Sequence, residues 1–143
     1  MIVALTGATG FVGGATLAEA LAQGHTVRAL TRREQPPREG VTWVRGDLAD
    51  APALRALCAG AEAMIHIAGV VNAPDAAGFE AGNVAGTAAV IAAMQAERVP
   101  RLVAVSSLAA RVWMMSGLPV AREAAIWVLK RSRCHSRSPL RRK

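Results

Sequence analysis

A doubly wound α/β fold built on a parallel sheet is the class this sequence predicts. Three observations carry the prediction. Short apolar segments alternate with helix-patterned segments along residues 1–110. A glycine turn, Gly7-x-x-Gly10-x-x-Gly13, follows the first apolar segment directly. The other polar and glycine motifs all fall just after a strand, on one edge of such a sheet. Strand–helix alternation at this spacing means repeated βαβ units with right-handed crossovers and helices on both faces.

Each element has its own justification. Met1–Leu5 is an apolar run short enough for a buried strand. Phe11–Gln23 reads as a helix, with Val12, Leu17 and Leu21 among its apolar positions and Gly24 placed to stop it. Thr26–Leu30 is the second strand, and Glu34–Gly40, with two prolines and a glycine, is a loop. Val41–Val44 is the third strand. Ala51–Cys58 is a short helix, with Asp50 as N-cap and Pro52 tolerated in its first turn. Ala63–Ala68 is the fourth strand, Gly78–Arg98 a long helix and Leu102–Ser106 the fifth strand. About five strands in the order 3-2-1-4-5 make a Rossmann-like sheet, whose ligands bind at the carboxyl ends near the switch between strands 1 and 4.

Composition sets the outer bounds. The 143 residues leave room for one domain with a real core, and 52% hydrophobic against 3% aromatic content makes that core aliphatic. No apolar run approaches the roughly 20 residues of a spanning helix, so no membrane partner is expected. The N-terminus has no basic segment ahead of its apolar stretch, which argues against a secretory signal. Cys58 and Cys134 are distant from each other and have no zinc-type spacing, as expected of reduced thiols in a cytoplasmic protein.

The net charge of +7 conceals an asymmetry. Residues 1–110 hold eight arginines and nine acids, a net of −1. Residues 111–143 hold nine Lys or Arg and one acid, Glu123, a net of +8. A boundary near Arg111 is expected, separating a dinucleotide-binding domain (1–110) from a divergent basic tail (111–143), irregular or partly helical. The tail cations, including Arg131, Arg133, Arg137, Arg141, Arg142 and Lys143, could contact phosphates. No nucleic-acid fold accompanies them, so a solvated charge run is the preferred reading.

In the glycine turn, the first glycine permits the tight turn and the second lets a pyrophosphate approach the backbone. The third lets helix and strand pack closely, and the helix N-terminus faces the phosphates. Four further segments accompany it: Gly46-Asp47-Leu48, His66-Ile67-Ala68-Gly69, Asn83-Val84-Ala85-Gly86-Thr87 and Val105-Ser106-Ser107. With Thr6-Gly7-Ala8-Thr9-Gly10-Phe11-Val12-Gly13 they resemble, in order and spacing, the extended short-chain dehydrogenase/reductase family, the NAD(P)-dependent epimerase/dehydratase group.

The resemblance implies cofactor contacts along Gly7, Thr9, Gly10, Phe11, Val12 and Gly13. It places Asp47 and Leu48 by the adenine, and Ala68 and Gly69 along the cofactor. Asn83 would lie on the helix supporting the active site, and Ser107 at the catalytic serine position. Asp47 has an alternative as a turn or cap residue, and Ser107 as the plain end of a strand. His66, inside a buried strand, reads as a core histidine rather than a catalyst. The second strand ends in Leu30-Thr31-Arg32-Arg33, without the acid that binds a ribose 2′-hydroxyl in NAD-preferring sites. Arg32 and Arg33 suit a 2′-phosphate, so NADP is expected over NAD. Their alternative is a pair of solvated loop charges, and nearby Glu34 keeps NAD open.

The pattern then breaks. The family's base is a tyrosine with a lysine four positions later, and this chain contains no tyrosine. The nearest echo, Ser116–Ala124, has Leu118 and Arg122 at the two positions, and leucine cannot exchange a proton. Catalysis is therefore expected to be absent or very weak, with the substrate unspecified. The family's C-terminal substrate region is also missing, through either a reading-frame disruption near codon 111 or a genuine truncation; the abrupt change of composition inside the fold favours the first. The fifth strand would then be an uncovered edge, open to self-association.

Overall fold

The computed structural model describes residues 1–72 and 74–106 and, as backbone, the strand Ile126–Lys130. Its elements in chain order are β1 (Ile2–Thr6), α1 (Phe11–Ala22), β2 (Thr26–Thr31), β3 (Val41–Arg45), α2 (Ala51–Cys58) and β4 (Ala63–His66). There follow α3 (Ala76–Phe79), a π-helical segment (Glu80–Ala85), α4 (Gly86–Ala96), β5 (Arg101–Val105) and β6 (Ile126–Lys130). The sheet order is β3-β2-β1-β4-β5-β6. The first five strands run parallel, with Val3 opposite both Val27 and Ala63, and Met64 opposite Leu102. This is the doubly wound order 3-2-1-4-5 expected of the sequence.

β1 is central and has both faces covered, so it is apolar without alternation. Ala4 contributes to a core with Leu54, Leu57, Met64, Val90 and Met94, beneath α2 and α4. Leu5 contributes to a second core with Leu17, Ala20, Val27 and Ala29, beneath α1. Burying the Leu, Val and Met side chains of these cores stabilises by roughly 1.5–3 kcal/mol each. Val12, one of the apolar positions of α1, lies outside both cores and is half exposed. Cys58 is fully buried in the first core. That burial, helped by Glu97, pushes its thiol up to about 11 against the opposing effect of Arg28. The Arg28 guanidinium binds the last turn of α2 instead, donating from Nη1 to Ala56 O (3.1 Å) and to Ala59 O.

Three expectations are corrected. The long helix over 78–98 begins at Ala76 and is interrupted by the π-helical turn Glu80–Ala85. Gly82 and Gly86 let it pack closely: a Cβ on either would collide with Val70 Cγ2 or Leu48 Cδ1 respectively. β5 is not an open edge, because β6 pairs with it antiparallel, Val105 opposite Ile126 and Arg101 opposite Lys130. Part of the basic tail is thus a strand rather than irregular or helical chain. Ser107, the Leu118/Arg122 echo and the cations after Lys130 lie outside the described residues. Among the described residues no helix is long and apolar enough to cross a membrane.

Candidate functional site

The carboxyl edge of the sheet collects most of the expected residues, because parallel strands all deliver their following loops to that edge. β1 ends in the glycine turn. Gly7 adopts φ +77°, and a Cβ there would sit 2.8 Å from Ala68 N. Gly10 N donates to Gly7 O at 3.0 Å, closing the turn. A Cβ on Gly13 would fall on Gly7 O, so only glycine lets α1 start this close to β1. Gly10 differs. Its backbone is extended (φ −85°, ψ 173°), and a Cβ would touch nothing nearer than Gly7 O at 3.4 Å. Among the described residues, nothing packed against Gly10 demands glycine there.

α1 also begins without a side-chain cap and without an acid in its first turn. Its leading N–H groups therefore point into an open, electropositive site suited to an anion. Thr9, Gly10 and Phe11 are exposed beside it, Phe11 at 97% of its full area, so its ring contributes nothing to the core. At the neighbouring tip of β2, Thr31 is buried and its hydroxyl donates to Arg33 O (2.7 Å), folding the chain back. A cavity of about 430 Å³ opens here, lined by Thr9, Thr31, Arg32, Arg33 and Gln35. Thr31 and Gln35 were not singled out from the sequence. Thr31 has a signal in its place between Leu30 and Arg32, whereas Gln35 has none.

The remaining residues sit around this centre. Asp47 follows β3, and its Oδ1 accepts from Ala49 N at 2.8 Å, a turn role. Leu48 packs between the first core and Gly86. Ala68 and Gly69 follow β4 beside Gly7. Asn83, on the π-helical turn, accepts from Val70 N (2.7 Å) and donates to Val70 O (2.9 Å). Both ends of its amide are thereby committed to holding the loop after β4. His66 is buried, with Nδ1 2.7 Å from Thr6 Oγ1 and Nε2 3.1 Å from Thr87 Oγ1. Burial lowers its pKa, so it is a satisfied core histidine.

An open helix N-terminus, framed by glycine at the switch between β1 and β4, defines a dinucleotide-binding module. The chain belongs to the NAD(P)H-binding family, whose model matches residues 7–132, past the change of composition at Arg111. It is a Rossmann-fold NAD(P)-binding module related to the oxidoreductases of the short-chain dehydrogenase/reductase and epimerase/dehydratase group. It is 41% identical over 128 residues to a ceramide reductase of Caulobacter vibrioides, covering 86% of this chain and 40% of that protein. It is 38% identical over 112 residues to a 2-alkyl-3-oxoalkanoate reductase of Stenotrophomonas maltophilia, covering 75% of this chain and 33% of that protein. A crystal structure of a short-chain dehydrogenase/reductase superfamily protein from Agrobacterium tumefaciens with bound NAD superposes with a TM-score of 0.65 at 36% identity, over 75% of this chain and 33% of that one. The chain thus spans less than half the length of these relatives.

Proposed function

We propose that this chain binds NADP(H) in preference to NAD(H), and that catalysis by the chain alone is absent or very weak. The observation that carries the preference is the cavity at the β2 tip. Arg32 and Arg33 line it together with Thr9 of the glycine turn, and none of the described residues that line it is an acid. Two guanidinium groups there can hold a 2′-phosphate through charge-assisted hydrogen bonds, and the open start of α1 would hold the pyrophosphate. In this reading Gly7, Thr9, Gly10, Phe11, Val12 and Gly13 form the phosphate turn. Asp47 and Leu48 flank the adenine, and Ala68 and Gly69 form the opposite wall. Asn83 acts through the Val70 loop it holds. Bound nicotinamide would supply or accept a hydride at a carbonyl or hydroxyl carbon, the chemistry the reductase names of the relatives suggest. Ser107 matches the family's catalytic serine position by sequence, but this sequence has no tyrosine to move the accompanying proton. A cytoplasmic location, suggested by the two distant cysteines, belongs to the same proposal.

Titration calorimetry with NADPH and NADH tests the preference. NADPH is expected to bind more tightly. Arg32→Ala with Arg33→Ala should weaken NADPH about tenfold or more, the scale of a lost charge-assisted bond, with NADH little changed. Equal affinities would overturn the preference. Turnover of carbonyl substrates by the purified chain would overturn the catalytic part.

A further inference from the structure

Thr6, His66 and Thr87 form a chain of side-chain contacts that runs from β1 through β4 to α4, buried at Thr6 and His66 and half-buried at Thr87. Thr6 ends β1, His66 ends β4, and Thr87 is the second residue of α4. Thr6 Oγ1 accepts from Ala68 N (3.2 Å) and from Ile67 N (3.2 Å), the latter shared with Thr6 O (3.3 Å). Both amides are donors only, so among the described residues the Thr6 hydroxyl proton has one acceptor in reach, His66 Nδ1. A neutral imidazole accepting at Nδ1 carries its proton at Nε2, which then donates to Thr87 Oγ1. The direction of every bond in the chain is therefore fixed.

The same Ala68 amide is the group against which Gly7 packs, 2.8 Å from where its Cβ would be. In the cofactor reading, Gly7 opens the phosphate turn and Ala68 stands on the facing wall. We propose that Thr87, through the Nε2–H tautomer of His66 and the Thr6 hydroxyl, is a positioning residue that sets the spacing between the glycine turn and the Ala68–Gly69 wall, and thereby dinucleotide affinity. This rests on the cofactor reading above. An imidazolium would place its Nδ1–H against the Thr6 hydroxyl as a third donor beside the two amides, so acid disrupts the relay. β1 and α4 carry no titratable side chain; Arg101 on β5 and Glu80 on the π-helical turn are exposed. The downward push on His66 comes from burial alone.

The tautomer is measured first, on the unsubstituted chain without cofactor, by imidazole 15N shifts. An Nε2–H ring is expected, and an Nδ1–H ring would overturn the proposal. Thr87→Val and Thr87→Ser are then compared by amide hydrogen exchange at Ala68 and by titration with NADPH. Thr87→Val should speed exchange at Ala68 and weaken NADPH about five- to tenfold, the scale of one hydrogen bond, while Thr87→Ser restores both. Unchanged Ala68 exchange in Thr87→Val overturns the relay whether or not cofactor binds. If the parent chain shows the Nε2–H ring and the exchange response but binds no dinucleotide, the relay's bonding stands and the cofactor reading fails, taking the affinity role with it.

Discussion

α1 and α2 both start at the carboxyl edge of the same sheet, yet their N-termini are built in opposite ways. At α2, the Asp50 carboxylate accepts from Ala53 N at 3.0 Å, closing the helix start with the chain's own oxygen. At α1, the N-cap is Gly10, which has no side chain to do so. α2 therefore satisfies one of its leading donors with its own side chain, whereas α1 has no side-chain cap. The glycines around α1 complete the contrast. Gly7 and Gly13 are required by close approach, whereas Gly10 fills no internal need and leaves room in front of the helix. In the proposed reading, this uncapped start with open space before it is where the cofactor phosphates sit.

Changes at the two starts should separate fold from binding. The largest loss is expected from Gly13→Val, which forces side-chain atoms into Gly7 O and costs about 3 kcal/mol by overpacking; urea denaturation reads this directly. A loss under half that size would mean that α1 can move away from β1. Asp50→Ala removes the α2 cap and should cost about 1 kcal/mol while leaving NADPH affinity unchanged. A fall in affinity would show that the two starts are coupled.

Acid should act on the α1 side, through His66. Because its folded pKa lies below the ordinary 6.5, the native state binds fewer protons than the unfolded chain below that pH. The stability contribution is full above 6.5 and is lost as pH falls toward the folded value. Urea midpoints measured across this range should be flat above it and fall below it, and His66→Asn should flatten the fall. Smallest in stability is Gly10→Asp, which gives α1 the cap that α2 has. It should stabilise by a few tenths of a kcal/mol and abolish binding of the anionic cofactor by repulsion. Retained NADPH binding would place the phosphates elsewhere.

Most of the fold is legible in the sequence because its signals are local. Ala51–Cys58 starts and stops where Asp50, Pro52 and the apolar period place it, and the five parallel strands fall within a residue or two of their apolar runs. The π-helical turn is not legible. Its cause is tertiary, since Gly82 and Asn83 meet Val70 across the cleft, and nothing in Glu80–Ala85 alone signals an extra residue per turn. β6 is hidden for a different reason: the apolar run Ile126–Leu129 lies within a segment whose charge dominates its composition. At the site, the glycine turn and the Arg32–Arg33 pair can be read directly. The spending of Asn83 on the Val70 backbone, and the partners of His66 at Thr6 and Thr87, depend on contacts 13, 60 and 21 residues apart.

The central claim is that the open start of α1 is the dinucleotide site, and Gly10→Val tests it most directly. The extended backbone at Gly10 accepts a side chain, so the variant should fold with a melting temperature lowered by no more than a few degrees. Calorimetric titration of this variant with NADPH should show no binding, because the valine fills the space in front of the helix. Binding at the parent affinity by a folded variant would contradict the account and move the cofactor away from the glycine turn.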